Sequence, residues 1–530
     1  MSSTSPLSTF AQIKTEEIGE ESMRQPAGSL REGGMPRILV VTPEITYLPE
    51  GMGNLSQRMC AKAGGLADVS ASLVNELQEL GADVHVALPN YKRMFHSDIQ
   101  QLHEKQIDKV RRSTPDQRIH LAQDRIFYHR DQVYSTDENT RIALAFQREV
   151  INHIIPTVEP DLIHCNDWMT GLIPAVAKQR GIKCLFTVHN IHTEKLTLAE
   201  MEDRGIDAAE FWEQLYYVNR PGNYEQTRSD NRVDLLTSGI FAADYVNTVS
   251  PTFLEEVVMG HHGFVPGAIQ RELANKKYSG NASGILNAPD PAFEPETDEY
   301  IAQHYSPSDH VEARRANKLE LQKRLGLVQD ADAPVLFWPS RLDPVQKGCQ
   351  LVTDILYNLL ADYEDRGLQI AVVANGSFQR HFREIADIHH IHQRLAVHDF
   401  KEELSHLGYA GSDFILMPSS FEPCGLPQMI SPKFGSLPIV HDTGGLHDTI
   451  QHLNTENDTG NGFVFQYFDT KGLRWATDQA MHFYNLPAEV KARQISRIML
   501  EAKSRFNHHA TAGKYIEIYR KIWRNREASQ

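Results

Sequence analysis

One rhythm constrains this chain more than any other feature: short, apolar, β-branched runs are followed by helix-like segments, and the series begins twice. The first series runs RILVVT (37–42), DVHVAL (83–88), LIHCN (162–166), CLFTVH (184–189) and YVNTVS (245–250). The second runs VLFWPS (335–340), QIAVVAN (369–375), RLAVHD (394–399), DFILMPS (413–419) and LPIVHDT (437–443). Strand-then-helix alternation of this kind specifies a parallel sheet covered on both faces. Between the two series lies GILNAPDPAFEPETDEY (284–300), whose prolines and acids suit a connection, so the boundary falls near Ser283. At 530 residues the chain is too long for one core. The fold class is therefore α/β, with two doubly wound domains (36–283 and 284–504) facing a central cleft. Open sheets of this type bind ligands beyond the carboxyl ends of their strands, so the chemistry is expected there.

Composition excludes several functions. A net charge of −16 opposes nonspecific nucleic-acid binding, because the phosphates would be repelled. An apolar fraction of 41% comes without a run long enough to span a bilayer, so no membrane partner is expected. The five cysteines are scattered and form no C-x-x-C pair, which indicates neither a disulfide framework nor a zinc site. Residues 1–35 are rich in Ser, Glu and Gly and read as a disordered tail, not a targeting segment. A cytoplasmic protein is the expectation.

The strand ends carry suggestive residues. In CAKAGGLADV (60–69), Leu66, Val69, Leu73, Leu77 and Leu80 recur at helical spacing, so Gly64 and Gly65 stand at a helix start with Lys62 just before them. Unpaired backbone N–H groups, the helix dipole and a lysine together make an anion site, although a K-x-G-G alone also suits a plain tight loop. Asp167 follows LIHCN, His189 ends CLFTVH, Arg341 follows VLFWPS, and Glu422 follows DFILMPS. Singly, each has a structural reading: a cap, a satisfied histidine, a surface cation, a turn residue.

The ordered set KAGGLADV, HCNDWMTGL, FTVHNI, TVSPTF, GILN, SRLDPVQKG, SSFEPCGLPQ, PIVHDTGGLHDT and NGFVFQ resembles the bacterial glycogen synthase and plant starch synthase family, from about Arg37 to Arg520. The resemblance implies two Rossmann-like domains of the GT-B glycosyltransferase type. The donor side is C-terminal and the acceptor side N-terminal, and a last helix (within 505–530) crosses back to the first domain. It implies transfer of glucose from ADP-glucose to the non-reducing end of an α-1,4-glucan or maltooligosaccharide, with retention of configuration. On this reading Lys62, Arg341 and Lys347 neutralise the leaving diphosphate, Glu422 binds the glucose hydroxyls, and Asp167 with His189 positions sugar and acceptor. Gly64, Gly65, Asn190, Cys424, Gly425, Leu426, Thr443, Gly444 and Gly445 line the substrate. No metal or other cofactor is implied, because side chains supply the cations. A retaining glycosidase would leave those cations without a role.

Departures from the family pattern keep alternatives open. The loop 45–60 is longer than usual, and SRLDPVQKG has one residue more between arginine and lysine, so Pro344–Val345 must bulge if both cations are to reach one phosphate. The arginine expected before FEPCGL is Ser420, and the lysine of L-K-A-G-I is Thr237. Ile430 stands where related enzymes carry the second carboxylate of E-x7-E. A catalytically weak paralogue that binds glucan or regulates a partner is the alternative, as is a related glucosyltransferase with a different donor or acceptor.

Overall fold

The computed structural model describes residues 36–45, Met52, 65–95, 118–134 and 138–527. Lys62, Gly64, the 1–35 segment and nearly all of the loop 45–60 lie outside these residues.

The first series forms a seven-stranded parallel sheet. Its members are β1 (Ile38–Val41), β2 (Val84–Pro89), β3 (Ile119–Ala122), β4 (Leu162–Asn166), β5 (Lys183–Val188), β8 (Tyr245–Thr248) and β9 (Ala282–Gly284), in the order β3-β2-β1-β4-β5-β8-β9. A short antiparallel pair, β6 (Lys195–Leu196) and β7 (Val233–Asp234), stands apart from it. The second series forms a six-stranded parallel sheet from β10 (Val335–Trp338), β11 (Gln369–Val373), β12 (Leu395–His398), β13 (Phe414–Met417), β14 (Leu437–His441) and β15 (Phe463–Phe465), in the order β12-β11-β10-β13-β14-β15. Strand order reverses between β1 and β4 in the first sheet and between β10 and β13 in the second. Those switch points open crevices at the strand carboxyl ends.

The strands are continuous apolar runs because helices cover both faces and leave no side for water. All four residues of β1, of β10 and of β13 are buried. Three members of the sheets, β3, β9 and β15, were not legible as strands. IHLA is broken by a histidine, ASG has no large apolar residue, and FVF is only three residues long, so none reads as a continuous apolar run.

The helix expected after the glycine pair spans Gly65–Glu79, with Leu66, Val69, Leu73 and Leu77 buried and Leu80 packed beyond its end. The last helix, His508–Glu527, lies against the first sheet although it follows the second in sequence. Its Tyr519 hydroxyl is 2.8 Å from His164 Nδ1 on β4, and its Tyr515 hydroxyl accepts from Asn247 Nδ2 on β8 at 3.1 Å. His164 Nε2 completes the network on Thr187 Oγ1 at 2.7 Å. Burial lowers the His164 pKa to about 3, so this histidine is a neutral part of the core. A small apolar cluster of Val249, Cys424, Met429, Ala502 and Phe506 joins the two halves. The connection after β9 is anchored by a buried pair, His406 Nδ1 to Asp298 Oδ2 at 2.6 Å, with Phe293 stacked on the imidazole.

Candidate active site

At the end of β4 the chain turns sharply through Asp167, whose φ of +58° is a left-handed value that side chains other than glycine rarely adopt. Asp167 makes no side-chain cap to the turn that follows. Instead its Oδ1 accepts from the backbone N–H of His189 at 2.7 Å, and its Oδ2 accepts from Asn190 Nδ2 at 2.9 Å, tying the ends of β4 and β5 together. His189 Nε2 lies 2.9 Å from Asn166 Oδ1. Burial pushes the Asp167 carboxyl up to about 7, against the pull of its two backbone N–H partners, and the nearby Glu44 carboxylate pushes the same way. Burial lowers the His189 imidazole to about 3, so it is neutral at physiological pH.

Glu44 belongs to this cluster, and sequence reading did not single it out. It follows β1 as Asp167 follows β4, is buried, and accepts from the Tyr134 hydroxyl at 2.6 Å. The strand-end rule that found Asp167 also reaches Glu44. Burial and the Glu44 carboxylate push the Tyr134 hydroxyl well above its ordinary range, so it stays a protonated donor. Gly65 is the first residue of the helix Gly65–Glu79.

Beyond β10, Arg341 is exposed, and its guanidinium has no partner among the described residues. The chain then folds on Asp343, whose Oδ1 accepts from the N–H groups of Val345 at 2.9 Å and Gln346 at 3.0 Å. This turn absorbs the additional residue and leaves Val345 at the surface. Ser420 fastens it: the hydroxyl faces the carbonyls of Val345 and Gln346 at 2.9 and 3.2 Å, and the Ser420 N–H donates to Gln346 O at 2.8 Å. The bulge expected at Pro344–Val345 and Ser420 thus belong to one turn. Gly348 follows with φ +69°, and a Cβ there would lie 2.0 Å from the Pro418 carbonyl oxygen, so only glycine fits.

Lys347 points at Glu422 from the next loop. Its Nζ lies 2.5 Å from Glu422 Oε2, which also accepts from Ser419 Oγ at 3.0 Å, and both charged side chains are buried. The backbone of the Glu422 loop is packed on the T-G-G turn, where Gly445 N–H donates to Glu422 O at 2.9 Å. A Cβ on Gly444 (φ +46°) would meet that same oxygen at 2.1 Å. Cys424 is buried beneath Gly445, Gly425 turns the chain at φ +72°, and Leu426 leads into the helix Pro427–Lys433. Ile430 lies in the second core, where a carboxylate would be desolvated without a partner. Thr237 is buried, and among the described residues its hydroxyl has no hydrogen-bond partner.

The T-G-G donors are already engaged. Glu256, on the helix Pro251–Val258 after β8, accepts from Gly444 N–H at 2.9 Å and from Thr443 Oγ1 at 3.1 Å. In return Asp448, on the helix Gly444–Thr449, accepts from Ser250 Oγ, from Thr252 Oγ1 at 2.6 Å and from Thr252 N–H at 3.2 Å. Each helix start is capped by a carboxylate from the other. Burial alone would raise the Glu256 carboxyl, but hydrogen bonds from His262, Gly444 and Thr443 outweigh it and hold it below the ordinary carboxylate range. Nothing local in the sequence marks Glu256 for this task, since its partners lie 187 and 188 positions away.

Residues 37–268 match the family model of the starch synthase catalytic domain. A glycogen synthase of Syntrophotalea carbinolica is 33% identical over 494 residues, covering 87% of this chain and 96% of that protein. The chain belongs to the glycogen synthase family. A second member, the glycogen synthase of Bacillus subtilis, is 32% identical over 455 residues, covering 80% of this chain and 88% of its own. Among solved structures, the catalytic domain of starch synthase IV from Arabidopsis thaliana, bound to ADP and acarbose, superposes with a TM-score of 0.74 at 26% identity, over 92% of this chain and 100% of that one. A sucrose-phosphate synthase from Thermosynechococcus elongatus, at TM-score 0.55 and 16% identity over 92% of this chain and 99% of its own, shares the fold alone. As a member of the glycogen and starch synthase family this chain is a glucosyltransferase of GT-B architecture that uses a nucleotide-sugar donor and a glucan acceptor. Among the described residues no helix is long and apolar enough to cross a membrane.

Proposed function

We propose that this member of the family transfers glucose from ADP-glucose to the non-reducing end of an α-1,4-glucan, working in the cytoplasm as two units (36–283 and 284–504) with 505–530 returned to the first. The observation that carries the reading is the set of groups at the β10/β13 switch point. The open Arg341 guanidinium and the buried Lys347–Glu422 pair stand there on adjoining loops. As the glucosyl carbon becomes cationic, the departing diphosphate gains negative charge, and fixed cations aimed at it favour the transition state. Arg341 is free to take a phosphate. Lys347 keeps two of its three N–H donors beyond the one directed at Glu422. Glu422 in turn offers its other oxygen to glucose hydroxyls. From the facing sheet, Lys62 and the backbone at Gly64–Gly65 meet the diphosphate, while Asp167, His189 and Asn190 position the sugar and the acceptor hydroxyl. The neutral His189 serves as a hydrogen-bonding group with no charge of its own near the forming cation. Configuration is retained, with the leaving phosphate taking the acceptor's proton on the same face. An adenosine donor is favoured because the Arabidopsis starch synthase domain holds ADP.

Incubation with ADP-glucose or UDP-glucose and a short maltooligosaccharide, followed by product-length analysis, tests the reading. Chain extension is expected with a higher kcat/KM for ADP-glucose; a tenfold preference for UDP-glucose overturns the donor assignment. Lys62→Ala, folded by its thermal melt, is expected to lose most of kcat with donor KM within a few-fold, as a contact made chiefly in the transition state requires.

A further inference from the structure

The edge of the second sheet holds a cavity of about 970 Å³ whose lining includes none of the residues assigned above to the transfer reaction. It opens beside the ends of β14 and β15, and its wall begins at Asp442, the residue before Thr443. Two large aromatic rings line it and face water. Tyr467 is 75% exposed, and Trp475, at 48%, is the one tryptophan of the exposed class among the described residues. One face of Trp475 is stacked on His452, with ring centroids 5.3 Å apart and planes 23° from parallel, which fixes the indole and leaves its other side open. An indole fixed by a stacked ring and open on its other side, with a second exposed ring in the same lining, is an aromatic surface of the kind that marks a binding groove.

The polar lining identifies the cover. The side-chain amides of Gln451 and Gln466 line the cavity and have no hydrogen-bond partner among the described residues, so donors and acceptors stand beside the rings. Charge is sparse: of the two carboxylates, Asp442 is engaged by His447 at 2.7 Å and Asp469 caps a helix through Gly472 N–H at 2.7 Å, and Lys471 is the lone lysine of the lining. A phosphorylated or nucleic-acid ligand would want a cluster of cations. A polyhydroxylated neutral ligand, whose C–H faces lie on rings and whose hydroxyls meet amides, fits both features. The volume lies at the top of the range for small-molecule sites, about 300–1,000 Å³.

We propose that this groove is a second glucan-binding site, holding several residues of the polymer by stacking on Trp475 and Tyr467 while a chain end is extended in the cleft. The proposal rests on the glucan-synthase reading of the protein. Holding the polymer at a second point raises the effective concentration of its chain ends near the cleft, which benefits long acceptors and not short ones.

Affinity electrophoresis through glycogen-containing gels, without donor, is combined with kinetics on glycogen and on maltotriose. Wild-type protein is expected to be retarded by glycogen. Tyr467→Ala and Trp475→Ala are expected to weaken retardation at least fivefold and to raise the KM for glycogen by a similar factor, with maltotriose kinetics within twofold of wild type. Trp475→Phe, which keeps a ring, is expected to fall between. Tyr467 is so exposed that its truncation leaves the fold intact. Unchanged retardation in both alanine variants overturns the proposal, as does an equal loss on maltotriose, which would make the groove part of the transfer site. Wild-type transfer to neither acceptor, with retardation intact and sensitive to Trp475, would refute the synthase reading and leave the groove standing.

Discussion

Lys347 and Glu422 neutralise each other out of water, and that makes them unlike two surface ions. Removing one member of a buried pair strands the other, a loss of about 3–5 kcal/mol, whereas replacing both by apolar groups of similar size is often neutral. Lys347→Ala is therefore expected to lower the urea midpoint strongly and Lys347→Met with Glu422→Leu to recover most of it, while both abolish transfer. Additive losses in the double variant would show that the two charges do not depend on each other. Asp167 gives a pH signature. Its folded pKa, about 7, lies above the ordinary 3.8, so its contribution to stability is complete below about 4 and is lost as pH rises through 7. Melting temperatures from pH 4 to 8 are expected to fall more steeply for the wild type than for Asp167→Asn, and parallel curves would contradict the raised pKa. Most of these residues were legible as strand-end side chains, because their types and positions are local. The Lys347–Glu422 contact was not, since 75 residues separate them, and neither was the role of Ser420, which depends on how an added residue folds.

The short helices Pro251–Val258 and Gly444–Thr449 depend on each other for their caps. Loss of a cap typically costs about 1 kcal/mol, but here it also frees the turn on which the Glu422 backbone rests. Glu256→Ala is expected to cost about 1–2 kcal/mol in urea denaturation and to lower kcat/KM beyond any change in folded fraction. Glu256→Gln, which keeps an acceptor for Gly444 N–H, is expected to restore much of it. Full activity in a folded Glu256→Ala protein would mean that the cap does not position the site. At this scale the continuous apolar strands were readable from composition and the helix Gly65–Glu79 from periodicity. The strands β3, β9 and β15 and the reciprocal caps were not, because those strands are not long apolar runs and caps between distant helices leave no local trace.

The two sheets meet through the cross-capped helices and the small cluster around Cys424 and Phe506. If cations from both sides surround one diphosphate, the halves must approach when the donor binds, pivoting about that contact. Small-angle scattering is expected to show a smaller radius of gyration with saturating ADP than without it; identical curves would count against closure. That there are two sheets was evident from the restarted strand series, whereas the order of strands within each depends on long-range pairing that sequence alone does not display. One consequence concerns the birth of the molecule. Tyr515 and Tyr519 complete a polar network on β4 and β8, so the half whose strands are made first is finished by residues made after the whole second sheet, with His164 and Tyr519 355 positions apart. While the second sheet is still being synthesised, His164 and Asn247 have no tyrosine to cover them. Part of the interior of the nascent first half therefore stays open until the helix His508–Glu527 has been made.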